Sequence, residues 1–332
     1  MVQGGLEEAR SARVEAQRLR LAFATVAEEW LTKQTHLRRR SYEGYARALR
    51  RHCLPRFAER PIARVDEDTI AKLVRDLQGD GFSGSTVAGV LVPLGGVLRY
   101  AVRQKLIPYN PVARLERSER PQLRRREKRI LTTNEIEALL LATTRTYRPI
   151  IATAIFTGLR ESELLGLWWG DLDLDGGVLH VRRTLDRAGR FAEPKTHQSA
   201  RTVVLTPSLV ALLRKHKDAS ARTGPTDLVF ATLTGRPIYY RNVTRQGLAV
   251  AVDRAGIDHE PQPKLRFHDL RHTYTSLLIA QGLSLPFVSR QLGHAFPSYT
   301  LNTYAGVFDR AKSATRAAEG LEAIFPRSLG EE

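Results

Sequence analysis

The chain has 332 residues, of which 42% are hydrophobic, enough for two domains with cores of their own. Its formal charge of +17, from 52 Lys and Arg against 35 Asp and Glu, implies a polyanionic partner, most simply nucleic acid. Cys53 alone excludes an internal disulfide framework and fits a reducing cytoplasm; the polar start excludes a signal peptide there, and the longest apolar run, residues 87–98, is interrupted by Pro93 and too short to span a bilayer, so no membrane partner is expected.

In chain order, residues 1–21 form an extension whose charged stretch, 5–20, reads as an exposed helix. Residues 22–116 form a helical block. Phe23, Val26, Ala27, Trp30 and Leu31 share a face; a basic helix from Ser41 carries Tyr42, Tyr45 and Leu49, and further helices are expected at 66–77 and 85–104. In the basic helix Arg47, Arg50 and Arg51 fall at i, i+3 and i+4 and could follow a phosphate backbone, as could Arg38, Arg39 and Arg40 ahead of it. Through residue 128 there are 26 basic against 15 acidic residues, and beyond it 26 against 20, so the cationic excess is concentrated N-terminally, as in a DNA-gripping module.

Residues 117–129 read as a basic interdomain linker with Arg124, Arg125 and Arg126 at its centre, whose cations can replace counterions along a duplex. A second domain, 130–326, opens on a capping box at Thr132 and Glu135. Helices near 150–157, 161–167 and 268–282 and a hairpin between 178 and 205 make it mostly α with a small antiparallel sheet, after an all-α N-terminal bundle. Residues 327–332 are a tail.

Six residues of the second domain suit one reaction, attack by a tyrosine on a DNA phosphodiester. The phosphorane-like transition state gathers charge on its non-bridging oxygens, and Arg160 and Arg271 can each donate two parallel hydrogen bonds to it. Tyr304 is the nucleophile candidate. A departing 5′ hydroxyl must be protonated as it leaves, for which Lys195, at the far end of the hairpin, is suited; His268 and His294 can serve as bases or donors. His268 and Arg271, three apart on one helix, project from the same face. Zinc-ligand spacing and a phosphate-binding Walker loop are both missing, so neither a metal site nor a cofactor is expected.

The strings around these residues, TGLRESELLGL, HDLRHT, LGH and LNTY, resemble the tyrosine recombinases, the phage integrase family, in order and in kind. The resemblance implies a 3′-phosphotyrosyl bond to Tyr304, a scissile phosphate held by Arg160 and Arg271, protonation of the 5′ oxygen by Lys195, and Glu163 as a buttress of the site. Tyr304 is preferred to Tyr299 because its surround is the one that resembles the family's nucleophile. Strings such as FATVAEEWL and LRYAVRQKLIPYNPV make residues 22–116 resemble the family's core-binding domain, a SAM-like helical bundle. The first 21 residues are too few for the additional sheet-based domain that larger integrases carry. Also implied are double-stranded DNA recombination sites as partner, a tetramer on DNA coupled through the apolar C-terminal residues Leu321, Ile324 and Phe325, accessory directionality or DNA-bending proteins, and a bacterial or phage-encoded protein of the nucleoid.

Two alternatives stand beside a recombinase of a phage or mobile element. A type IB topoisomerase uses a similar set of residues, although the N-terminal helical block and the LGH string favour recombination. A DNA-binding regulator without catalysis would not need the complete set.

Overall fold

The computed structural model describes residues 20–123, 127–193, 200–258, 261–294, 298, 300, 301 and 304. The helix expected at 5–20, Arg124 to Arg126, Lys195, Tyr299 and the tail after Tyr304 lie outside them. The chain divides into two compact units, Met1–Arg126 and Glu127–Glu332.

Among the described residues the first unit's elements are all helices: α1 (Phe23–Thr32), α2 (Arg39–Ala48), α3 (Leu54–Phe57), α4 (Glu67–Gly79), α5 (Gly84–Arg103) and α6 (Pro111–Arg114). Helix starts follow local chemistry: Asp66 caps α4 by accepting from the Thr69 N–H at 2.9 Å, and Ser83 caps α5 through Thr86. The face expected on α1 is the buried one, with Phe23, Val26, Ala27, Trp30 and Leu31 all in the core. The apolar run broken by Pro93 proves to be a continuous 20-residue helix, α5, in which Pro93 simply lacks the N–H that would reach the Gly89 carbonyl. Its length and composition would suffice to cross a membrane, but Val87, Leu94, Val97 and Leu98 are fully buried, and α5 is the core helix of this unit.

The basic stripe differs from the sequence reading. The α-helical spacing ends at Ala48, and Leu49–Cys53 continues as a π-turn, so Arg47, Arg50 and Arg51 do not keep the i, i+3, i+4 register. Arg50 is paired with Glu28 at 3.2 Å and Arg39 with Glu43 at 2.8 Å, while Arg38, Arg40, Arg47 and Arg51 are exposed on the same part of the surface.

The second unit contains α7 (Thr133–Ala142), α8 (Arg148–Thr157), α9 (Glu161–Leu164), strands β1 (Leu172–Asp173), β2 (Val178–Val181), β3 (Thr184–Leu185), β4 (Phe191–Ala192) and β5 (Arg201–Val204), then α10 (Pro207–Asp218), α11 (Tyr240–Asn242), α12 (Ala249–Ala255), α13 (Phe267–Ala280) and α14 (Leu285–Leu292). This is the mostly helical fold with little antiparallel sheet that the sequence suggests. The single hairpin expected between 178 and 205 is instead two small sheets: β1-β2-β5, and β3 paired with β4. Strand β2 runs to Val181, and β3 leaves it to pair with β4, so that β5 returns to β2 in the register Leu179 to Val203 and Val181 to Arg201. Val203 and Arg201 therefore share one face of the sheet, and that face is the core face.

The capping box forms as expected, with Thr132 and Glu135 bonded reciprocally. Glu135 also pairs with Arg129, which is 4% exposed and donates to the Ile257 carbonyl at 3.0 Å. Arg129, assigned to the linker from sequence, is thus a buried structural cation of the second unit.

In the first unit Gly96 of α5 lies flat against the Trp30 indole, where an added Cβ would collide with the six-membered ring. Gly96→Ala should cost about 1–3 kcal/mol of unfolding free energy in urea titrations monitored by circular dichroism. An unchanged midpoint would show that α1 and α5 have room to separate.

Candidate active site

The site of the second unit is assembled where the C-terminal ends of α8 and α14 meet. Helix α8 ends at Gly158 in the left-handed conformation (φ 59°), and a Cβ there would strike the Tyr274 ring, so the glycine of TGLR is required both by its backbone and by its neighbour. The chain then turns extended at Arg160, which precedes α9. Glu163, one turn in, accepts the Arg160 backbone N–H at 2.9 Å and its guanidinium Nη1 at 2.7 Å.

Glu163 is 1% exposed, and its second partner is Arg201 of β5, 5% exposed, which donates from Nη1 at 3.1 Å and from Nη2 at 2.9 Å. This is a fork-to-fork pair. Burial alone would raise the carboxyl pKa, but Arg201, then Arg160 and Arg271, outweigh it and hold Glu163 near 2. A lone buried carboxylate would take up a proton; this one stays an anion among cations.

The same three arginines close the C-terminal end of α14. Arg201 Nε donates to the Gln291 carbonyl at 2.7 Å, Arg271 Nη2 to that of Leu292 at 2.5 Å, and Arg160 Nη2 to that of Gly293 at 3.3 Å. Carbonyls at a helix end have no intrahelical donor and carry the negative end of the helix dipole, so cations are the fitting partners. Gly293 caps the helix in the left-handed conformation (φ 62°) and delivers His294 to the site. The Gln291 side chain joins α14 to β5, accepting the Val204 N–H and donating to the Thr202 carbonyl, both at 3.3 Å.

Arg271, from the first half of α13, is 4% exposed. It donates from Nη1 to the Gly158 carbonyl at 2.6 Å and from Nη2 to His294 Nε2 at 3.0 Å, besides Leu292. Among the described residues these contacts use three of the five N–H donors of a guanidinium, leaving two for a ligand. Burial, then Arg160, lower its pKa to about 9, well above neutrality, so it remains a cation. Arg160 is the more open of the two, its side chain 36% exposed.

The histidines are held neutral. His294 has Nε2 on Arg271 and Nδ1 on Thr300 Oγ1 at 2.7 Å, and burial followed by Arg271 lowers it to about 3. His268 lies at the exposed rim, lowered by its crowded surroundings and then by Arg271. His272, one turn further along α13, meets His268 edge to face with ring centroids 5.0 Å apart, and burial then His268 lower it to about 4.

Tyr304 is 3% exposed and packs on Tyr274, Ile279, Val288 and Leu292. Its hydroxyl is hydrogen-bonded to His272 Nδ1, and the ammonium of Lys128 sits over its ring at 4.7 Å from the centroid. Arg160 is bonded directly to Glu163 and Arg271 to His294, the two pairs meeting at the adjacent carbonyls of Leu292 and Gly293, and Tyr304 joins His268 and Arg271 through His272 on α13. Lys195 lies outside the described residues. Arg201, His272, Gln291 and Thr300 have no role in the sequence reading. Arg201, His272 and Gln291 depend on packing between distant segments, and Thr300 on its hydrogen bond to His294. No group of three or more His, Cys, Asp or Glu is placed to hold a metal ion among the described residues.

Because Glu163 has a depressed pKa, its stabilisation is present above the usual 4.5 and lost as pH falls toward about 2. The histidines, also depressed, bind protons more readily unfolded; their contribution is present above 6.5 and lost toward about 4 for His272 and 3 for His294. Both act in one direction, so the urea midpoint of the second unit should fall between pH 7 and 4.5. A midpoint constant over that interval would contradict neutral histidines in the fold.

The sequence profile of the phage integrase family matches residues 129–310, and that of the phage integrase central domain matches residues 23–118. Among curated proteins, the chain is 32% identical over 201 residues to a XerC-like tyrosine recombinase of Caldanaerobacter subterraneus, covering 54% of this chain and 49% of that one. It is 29% identical over 230 residues to prophage integrase IntR of Escherichia coli, covering 63% and 54%. It thus spans about half the length of these relatives. In fold it is similar to the Tn1549 transposon integrase, solved in complex with a circular intermediate DNA (TM-score 0.79, 21% identity, 92% of this chain and 100% of that one). It is also similar to a lambda integrase dimer bound to a core site (TM-score 0.65, 19% identity, 84% and 97%). With both profiles matched in succession, and the arginines, histidines and tyrosine of the expected strings drawn together in the second unit, the chain belongs to the phage integrase family of tyrosine recombinases.

Proposed function

We propose that the chain is a site-specific DNA recombinase that cuts and rejoins strands through a 3′-phosphotyrosyl intermediate and exchanges them through a Holliday junction, as an integrase of a phage or mobile element. The observation that carries this reading is the buried Glu163 anion. It organises Arg160 directly and stands close to Arg271, so two cations with uncommitted N–H groups are fixed beside His294 and Tyr304. A preorganised pair of guanidiniums is what a phosphoryl transition state requires.

In the proposed step the Tyr304 oxygen bonds to phosphorus as the P–O5′ bond breaks. Arg160 and Arg271 donate to the non-bridging oxygens, His268 and His294 act as donors or bases, and Lys195 gives its proton to the departing 5′ oxygen. The phosphotyrosine conserves the bond energy, and a 5′ hydroxyl of the exchanged strand reverses the step without ATP. Glu163 anchors Arg160 and would not touch the phosphate.

Double-stranded DNA is the proposed partner. Arg38, Arg40, Arg47 and Arg51 on the first unit would contact its phosphates, with Arg39 and Arg50 joining by exchange from their carboxylate partners; the segment with Arg124, Arg125 and Arg126 would follow the backbone between the units. Recombination would proceed in a tetramer on DNA coupled through the C-terminal residues, with accessory directionality or DNA-bending proteins, in the bacterial cytoplasm. The relatives' names and the DNA in the similar structures support this reading.

A nicked suicide duplex tests it. The wild-type chain should be trapped covalently on the 3′ end and Tyr304→Phe should not, while Arg160→Ala and Arg271→Ala should each slow trapping by about 10²–10³-fold. Equal trapping by Tyr304→Phe would remove that residue from its role.

A further inference from the structure

We propose that His272, rather than His268 or His294, receives the proton of the attacking tyrosine. This rests on the strand-cleavage reading above and assigns one group within it.

Three observations carry the assignment. First, His272 Nδ1 is hydrogen-bonded to the Tyr304 hydroxyl in the DNA-free protein, and the two rings lie with centroids 5.6 Å apart. With the imidazole neutral and its own proton on Nε2, Nδ1 is an acceptor and the hydroxyl donates. Second, the competing histidine His294 has both nitrogens engaged: Nε2 accepts from Arg271, so Nδ1 carries the hydrogen shared with Thr300. Its lone pair is spent on a cation that does not yield a proton. Third, His268 stands at the rim of the site with its ring against His272, one turn ahead on α13 and next to the open side. That position suits a donor to the phosphate.

Burial and the charges around His272 keep it an acceptor until DNA arrives. From its own helix it faces His268 and Arg271; from the segment ahead of α7, Lys128; from the C-terminal segment, Tyr304. The neighbouring cations disfavour imidazolium. A phosphodiester bound by Arg160 and Arg271 supplies the negative charge that offsets them, so His272 gains basicity only when substrate is in place. In the step, the Tyr304 O–H bond breaks as the O–P bond forms, the proton goes to His272 Nδ1, and the 5′ oxygen leaves with a proton from a separate acid. On reversal His272 returns the proton to the tyrosine.

The test uses full-length protein and the suicide duplex in single turnovers, with DNA affinity measured by gel shift. His272→Asn offers an amide oxygen in place of Nδ1, which keeps the hydrogen bond but cannot take the proton; His272→Ala does neither. Covalent trapping by His272→Asn should be slower by about 10²–10⁴-fold at unchanged affinity, and its rate should climb with pH where the wild-type rate is level. Added imidazole should accelerate His272→Ala and leave wild type unaffected. Trapping by His272→Asn at the wild-type rate, or a slow His272→Ala that imidazole does not accelerate, would overturn the assignment. Should His272→Ala fail to bind DNA, the pH profile of His272→Asn decides: a profile parallel to wild type overturns it. Tyr304→Phe is the separate control, because trapping by that variant would defeat the strand-cleavage reading itself, whatever the His272 variants do.

Discussion

The buried carboxylate of Glu163 is the interaction on which the site depends. At 1% exposure it can remain an anion only because Arg201 grips it from β5 and Arg160 from the start of its own short helix. Removing one partner of such a pair leaves an uncompensated buried charge, typically at a cost of about 3–5 kcal/mol. The carboxylate and the three carbonyls ending α14 form a single negative surface, and three arginines share it. The proposed phosphate site is thereby built as a balance. The anions are fixed by the fold, the cations exceed them, and the surplus faces outward through the more open Arg160.

Burial first, and then that surplus, set the state of the histidines. With Arg271 against His294 and Lys128 near His272 in these buried surroundings, protonated imidazoles are disfavoured. Neutral rings can accept a hydrogen bond from arginine or tyrosine, and His294 and His272 do so. Tyr304, at the same time, is 3% exposed and tied to α13. In the proposed reaction the hydrogen bond to His272 is already formed before DNA binds.

Much of this was legible in the sequence because it is written in short strings. Gly158 and Arg160 sit on either side of a helix end, and a glycine before an arginine and a Glu three residues on is a local pattern that needs no partner elsewhere. The face of α1 and the cap at Thr132 follow from periodicity and capping chemistry alone. What was not legible depends on pairing between distant segments. Arg201 reads as one more hairpin cation until the register of β5 against β2 turns it inward to Glu163, 38 residues away. Gln291 and His272 gain meaning from β5 and from Tyr304 respectively, and no spacing rule announces either contact. The stripe of Arg47, Arg50 and Arg51 shows the converse: α-helical spacing was assumed through Leu49, where the backbone widens into a π-turn.

Single-turnover trapping of the suicide duplex by Glu163→Gln, with DNA affinity measured in parallel, tests the organising role of the buried anion most directly. The amide retains the shape and removes the charge, so Arg160 loses its ionic anchor and Arg271 a nearby anion. A shift of the order of an ångström in such groups costs about 10²-fold in rate. Trapping slowed by that factor at near-unchanged affinity is the expected result; trapping at the wild-type rate would contradict the claim that Glu163 holds Arg160 in place for the proposed reaction.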